Sequence, residues 1–168
     1  MIKRIMGTAI ICSLGFSPIV FSEVPAGKSS LELFEETQTA AKNKDPVAQF
    51  TLGTMYRNGV GVEPSPSKAT EWFMKAATQG HLEAMYNLGL IYSNGEGTFV
   101  SNEAAFKWFQ KAADKGHVGA MYNVGLSYMN GQGVKQDYYQ GNRWLNKAID
   151  KGNYAPAKYV LALSYYTG

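Results

Sequence analysis

A period of 36 residues constrains this chain more than any other feature. Trp72, Trp108 and Trp144 recur at that step, as do Gly80, Gly116 and Gly152. Ala48, Ala84 and Ala120 keep the same register, and so do Gly53, Gly89 and Gly125, and Tyr56, Tyr92 and Tyr128. Gly59 with Gly61, Gly95 with Gly97, and Gly131 with Gly133 close each series. Residues 80–115 and 116–151 agree at 17 of 36 positions without a gap. Such a repeat is one supersecondary unit that cannot bury its apolar face alone, so neighbours must stack into a continuous core.

Each unit reads as two helices. In the second unit Ala84, Leu88 and Tyr92 recur at i, i+4 and i+8, one buried stripe of a first helix. Gly95-Glu96-Gly97 breaks the pattern, and a second helix follows from about Ser101. Ala105, Trp108 and Ala112 share a face of that helix, with Trp108 filling the space between the helices. Gly116 stands where a helix end accepts a left-handed residue without a steric penalty. Ser101 and Glu103 at its start, and Lys111 and Lys115 at its end, suit the helix dipole.

The ends of the array depart from the pattern. Leu31 to Lys44 has Leu33, Ala40 and Ala41 in step with Ala69, Ala76 and Ala77, which predicts a lone second-type helix, capped by Ser30, over the first end. The third unit has Tyr138, Tyr139 and Gly141 where the second has Asn102, Glu103 and Ala105, so its second helix should start less well. In the fourth, Ala157, Leu161, Tyr165 and Gly168 fit a first helix after one inserted residue, with Pro156 in its first turn. That helix is apolar on more than one face. The expectation is that either the natural chain continues or this end docks, against the partner or against a second copy to give a homodimer through the C-terminal helix.

Before the repeats, Lys3 and Arg4 precede an uncharged stretch from Ile5 to Phe21, and small residues follow at Ser22 and Ala26. This layout predicts a signal peptide over 1–22, with cleavage possible up to 26, and a periplasmic or secreted mature protein without stable membrane insertion. Linker and capping helix then occupy 23–44. The repeat domain runs over 45–168, in units 45–80, 81–116 and 117–152 with a partial unit 153–168. Cys12 is the only cysteine, so no intramolecular disulfide or cysteine zinc site is available. Sixteen basic residues against 13 acidic, scattered along the chain, give no footprint for nucleic acid.

The pattern Ala-x-x-x-Leu-Gly-x-x-Tyr-x-x-Gly-x-Gly, followed by Trp-x-x-Lys-Ala-Ala-x-x-Gly-His, resembles the Sel1-like repeat, a relative of the tetratricopeptide repeat. Here it is carried by Ala84, Leu88, Gly89, Tyr92, Gly95, Gly97, Trp108, Lys111, Ala112, Ala113, Gly116 and His117. The resemblance covers about residues 45–168. It implies an all-α, right-handed solenoid of antiparallel helix pairs and an exported protein-binding scaffold or adaptor. An immunity or inhibitor protein for a toxic effector, and a cell-wall-related or β-lactam-binding enzyme, are the competing expectations; the lack of cysteines weakens the enzyme.

No residue set reads as catalytic, cofactor-binding or metal-binding. His81 and His117 lie one repeat apart at helix starts, without a ligand cluster at suitable spacing. The Gly-x-Gly turns lack the strand and the third glycine of a dinucleotide loop, and neither a Gly-x-Ser-x-Gly nor a His-Glu-x-x-His pattern occurs. The resemblance puts the first helices on the concave side. Their groove-facing positions are then Phe50 and Thr54, Tyr86 and Leu90, Tyr122 and Leu126, and Tyr159 and Leu163. Arg57, Asn94 and Asn130 (with Asn58) stand at the turn end of the same face. Amphipathic rings flanked by amides suit a peptide or protein partner, whereas rings packed between adjacent repeats are the competing reading.

Overall fold

The computed structural model describes residues 28–166, with side chains through Ser164; the expected signal peptide lies outside the described residues. Regular structure among them is entirely helical. A lone α1 (Ser30–Lys42) precedes the pairs α2 (Pro46–Asn58) with α3 (Pro66–Thr78), α4 (Leu82–Asn94) with α5 (Asn102–Asp114), and α6 (Val118–Asn130) with α7 (Tyr138–Gly152). A final α8 (Ala155–Tyr166) closes the described chain. The main contacts all join consecutive helices, so the core grows along the array one unit at a time.

Local chemistry sets the boundaries. Each first helix ends on a glycine of the left-handed region, Gly59, Gly95 or Gly131, at φ 71°, 73° and 68°. The second glycine of each turn serves a different purpose. A Cβ on Gly97 would run into the backbone of Pro66 at the start of α3, and one on Gly133 into Asn102 at the start of α5. The turn of one unit therefore rests on the second helix of the unit before it, as Gly61 rests on Ser30 of α1.

Two helix starts differ from expectation. Ser29, not Ser30, caps α1: its hydroxyl accepts from the Glu32 N–H and the Glu32 carboxylate accepts from the Ser29 N–H. The start of α7 is sound, because the Asp137 carboxylate accepts from the Gln140 N–H at 2.9 Å. Asp137 supplies the cap whatever follows it, and α7 runs for 15 residues where the other second-type helices run for 13. The extra residue expected after the third unit is accommodated at Asn153, which takes φ 50° before Pro156 enters the first turn of α8.

The centre of each helix pair is also one position away from the tryptophan. Phe73, Phe109 and Leu145 are 0%, 4% and 0% exposed. Their side chains lie on Gly53, Gly89 and Gly125, where an added Cβ would overlap the Phe109 ring or come within 2.9 Å of Leu145 Cγ. Trp72 and Trp108 are half-buried at the flank. Their outer faces carry the ammonium of the lysine three residues on: Lys75 at 3.7 Å and Lys111 at 4.3 Å from the ring centroid, repeated by Lys147 on Trp144 at 3.7 Å. An indole is too large for the gap where two backbones meet at a glycine; a phenyl or isobutyl group fits it.

Candidate partner-binding groove

The first helices are joined by rings. Residue 50, 86 or 122 of one unit meets the residue that precedes the first helix of the next unit. Phe50 stacks on His81 at 4.5 Å and 18°, and Tyr86 on His117 at 4.2 Å and 23°. Tyr122 meets Tyr154 at 5.4 Å and 55°, because the inserted residue moves a tyrosine into the histidine's place.

Both histidines are helix caps. His81 Nδ1 accepts from the Ala84 N–H at 3.3 Å, and His117 Nδ1 from the Ala120 N–H at 3.0 Å. Glu83 lies between them, its Oε1 3.3 Å from His117 Nε2. The hydrogen bond to His117 holds the Glu83 carboxyl below its ordinary value, against the cost of partial burial. Burial lowers the His81 imidazole, opposed by the charges of Glu83 and Asp45. Burial also raises the Tyr86 phenol, opposed by a hydrogen bond with Asn123.

Phe50, His81, Glu83, Tyr86, His117 and Tyr154 border an open groove of about 850 Å³ that runs from the first unit to the start of the fourth. Arg57 donates to Asn87 Oδ1 at 3.1 Å within it, with the guanidinium 5.4 Å from the Phe73 ring centroid. Burial lowers Arg57, and the charge of Glu96 opposes that shift. A smaller hollow of about 230 Å³ follows, between the later turns of α4 and α6, bordered by Leu90, Asn94, Asn123 and Leu126. Together they offer stacking faces, one guanidinium, one carboxylate and several amides, a set suited to gripping an extended segment rather than to bond chemistry.

The expected groove residues divide accordingly. Arg57 and Tyr86 line the larger hollow, and Leu90, Asn94 and Leu126 the smaller. Tyr122 is half-buried against Tyr154. Phe50 also lines the larger hollow, although only 9% exposed, whereas Thr54 needs correction: at 3% exposed it borders neither hollow. The Phe50 ring is covered by Phe73 and His81, and Thr54 Oγ1 donates to the Phe50 carbonyl at 3.1 Å. Asn130 is exposed at the end of α6, and Tyr159 and Leu163 are exposed on α8, away from both hollows. His81, Glu83, Asn87, His117 and Tyr154 belong to the groove although the sequence pattern had not placed them there. The available signal was the spacing from ring to cap, 31 residues from Phe50 to His81 and from Tyr86 to His117. Among the described residues no group of three or more His, Cys, Asp or Glu could hold a metal ion.

A stack of helix pairs with sequence-local contacts and a groove along its first helices defines an α-solenoid of tandem repeats. The profile of the Sel1 repeat matches residues 46–81, 82–117 and 118–153. The chain belongs to the Sel1 repeat family, whose members generally mediate protein–protein interaction and whose scaffold is typically non-catalytic. It is similar to a Sel1 repeat protein from Oxalobacter formigenes, at 35% identity and a TM-score of 0.74, over 82% of this chain and 56% of that one. It is also similar to a protective antigen of uropathogenic Escherichia coli displaying an SLR fold, at 37% identity and a TM-score of 0.69, over 71% of this chain and 26% of that one. The Helicobacter pylori cysteine rich protein B shares the fold at 20% identity, with a TM-score of 0.58 over 77% of this chain and 97% of that one. This chain thus spans about half or less of the length of the first two. A search of curated proteins returns no match.

Proposed function

We propose that this protein is an exported scaffold that grips a segment of a protein partner in the groove of its first helices. The observation that carries the reading is the groove along the first helices in which Tyr86, His81 and His117 offer ring faces beside Arg57, Glu83 and Asn87. Aromatic and arginine side chains supply most of the energy at protein interfaces, while amides and carboxylates fix register. Export is supported by the basic, apolar and small-residue succession over residues 3–26. No helix among the described residues is long and apolar enough to cross a membrane. Self-association through α8 belongs to the same reading, supported by the exposure of Tyr159 and Leu163 at 71% and 47%.

The test is affinity capture from envelope extract with the wild type and with Tyr86→Ala in parallel. One partner enriched by the wild type and lost with Tyr86→Ala, while the variant's melting curve stays cooperative, is the expected result. Equal capture by both proteins would place binding elsewhere.

A further inference from the structure

The two histidines do more than fill the joints between units. Each uses Nδ1 as an acceptor for a backbone N–H at the start of a groove-lining helix, Ala84 in α4 and Ala120 in α6. An imidazole that accepts at Nδ1 carries its single proton on Nε2. In His117 Nε2 lies 3.3 Å from Glu83 Oε1, so one neutral tautomer serves both partners. A second proton therefore has only one place to go, the capping nitrogen itself. Putting it there removes the cap, sets an N–H against an N–H, and adds positive charge at a helix N-terminus.

We propose that His81 makes the groove acid-sensitive: protonation at Nδ1 uncaps α4 and disturbs the ring stack that forms the groove's wall. The stack at risk is Phe50 on His81, a contact that holds adjacent units in register. Charged groups face the rings from every side. Asp45, which caps α2, and Glu83 of α4 act on His81, while the Lys115 ammonium lies beside Gly80, the residue before it. Glu83 faces His117, and the Lys151 ammonium of α7 reaches over Gly116, the residue before that ring. At His81 the two carboxylates favour a positive charge on the ring, but burial outweighs them and lowers the imidazole.

The sign follows. A histidine lowered on folding binds fewer protons in the native state than in the unfolded chain, so unfolding takes up protons. Its contribution is present above the unfolded value of about 6.5 and is lost as pH falls through the folded value. A partner held in the groove at neutral pH is then released on mild acidification. That consequence rests on the groove reading, but the acid response is measured on the protein alone, so the two can fail separately.

The experiment compares melting temperatures at pH 7.5 and 5.5 for the wild type and for His81→Asn. Asparagine caps a helix N-terminus but does not titrate in this window. The wild type should lose several degrees on acidification, and the variant clearly less, whatever its absolute stability. An equal loss in both proteins would overturn the proposal. If the variant fails to fold, nuclear magnetic resonance of the wild type decides. The amide shift of Ala84 should titrate with the midpoint of the His81 ring, and an amide that stays flat through that midpoint would overturn it.

Discussion

Replacing Phe109 with alanine should be the most damaging single change in the central unit. The ring is 4% exposed and lies directly on Gly89, at the point where α4 and α5 approach most closely. Emptying such a site costs about 3–5 kcal/mol, a large share of the roughly 5–15 kcal/mol that holds a domain of ordinary stability together. Trp108 is the larger side chain, yet it is half-buried and its outer face carries the Lys111 ammonium. Trp108→Ala should therefore cost less, about 1–3 kcal/mol, combining partial loss of apolar burial with a cation–π contact of about 0.5–1 kcal/mol. Gly89 supplies an independent check. A methyl there meets the Phe109 ring, so Gly89→Ala should cost about 1–3 kcal/mol by overpacking. Shortening the ring should ease that clash: at the equivalent place in the third unit a Cβ on Gly125 would come within 2.9 Å of Leu145 Cγ, less severe than the overlap with the Phe109 ring at Gly89. Gly89→Ala combined with Phe109→Leu should then cost clearly less than the sum of the two single changes. Urea denaturation followed by circular dichroism gives all of these values by linear extrapolation. If Trp108→Ala is as costly as Phe109→Ala and the double variant is strictly additive, the assigned centre of the helix pair is wrong.

Gly97→Ala, at φ 70° and against the Pro66 backbone, should destabilise by more than about 1 kcal/mol, whereas Glu96→Ala in the same turn should cost little; thermal melts separate them. Tyr86→Ala should weaken a groove-bound partner by about 2 kcal/mol or more by calorimetry, with Tyr122→Ala, outside the larger hollow, weakening it less. Mass spectrometry of the exported protein should find its N-terminus between Ser22 and Gly27; recovery of intact Met1 from the membrane fraction would contradict export with cleavage.

The repeat architecture was legible in the sequence because a solenoid is built from sequence-local contacts. A 36-residue period, a glycine pair after each full unit's first helix and a capping residue before most helices are all local facts, and they set the helix count and order. Even the fourth unit's inserted residue could be read, since Pro156 and the Ala157, Leu161 spacing mark its helix. Neighbouring positions within a helix are harder to rank. Trp108 and Phe109 differ by about 100° on the helix surface, and both fit an amphipathic face with Ala105 and Ala112. Only the approach of α4 to α5 at Gly89 selects the phenyl ring over the indole. The groove shows the same limit. Tyr86 and Leu90 face it, but of their counterparts Phe50 shows only an edge beside Phe73 and His81, and Thr54 is sealed by the turn of its own helix. The pairing of Phe50 and Tyr86 with the capping histidine of the next unit joins residues 31 apart, a distance that has meaning only once one unit is stacked on another. Periodicity determines which residues are equivalent; packing between units decides which of those equivalents meets a neighbour and which is left to meet a partner.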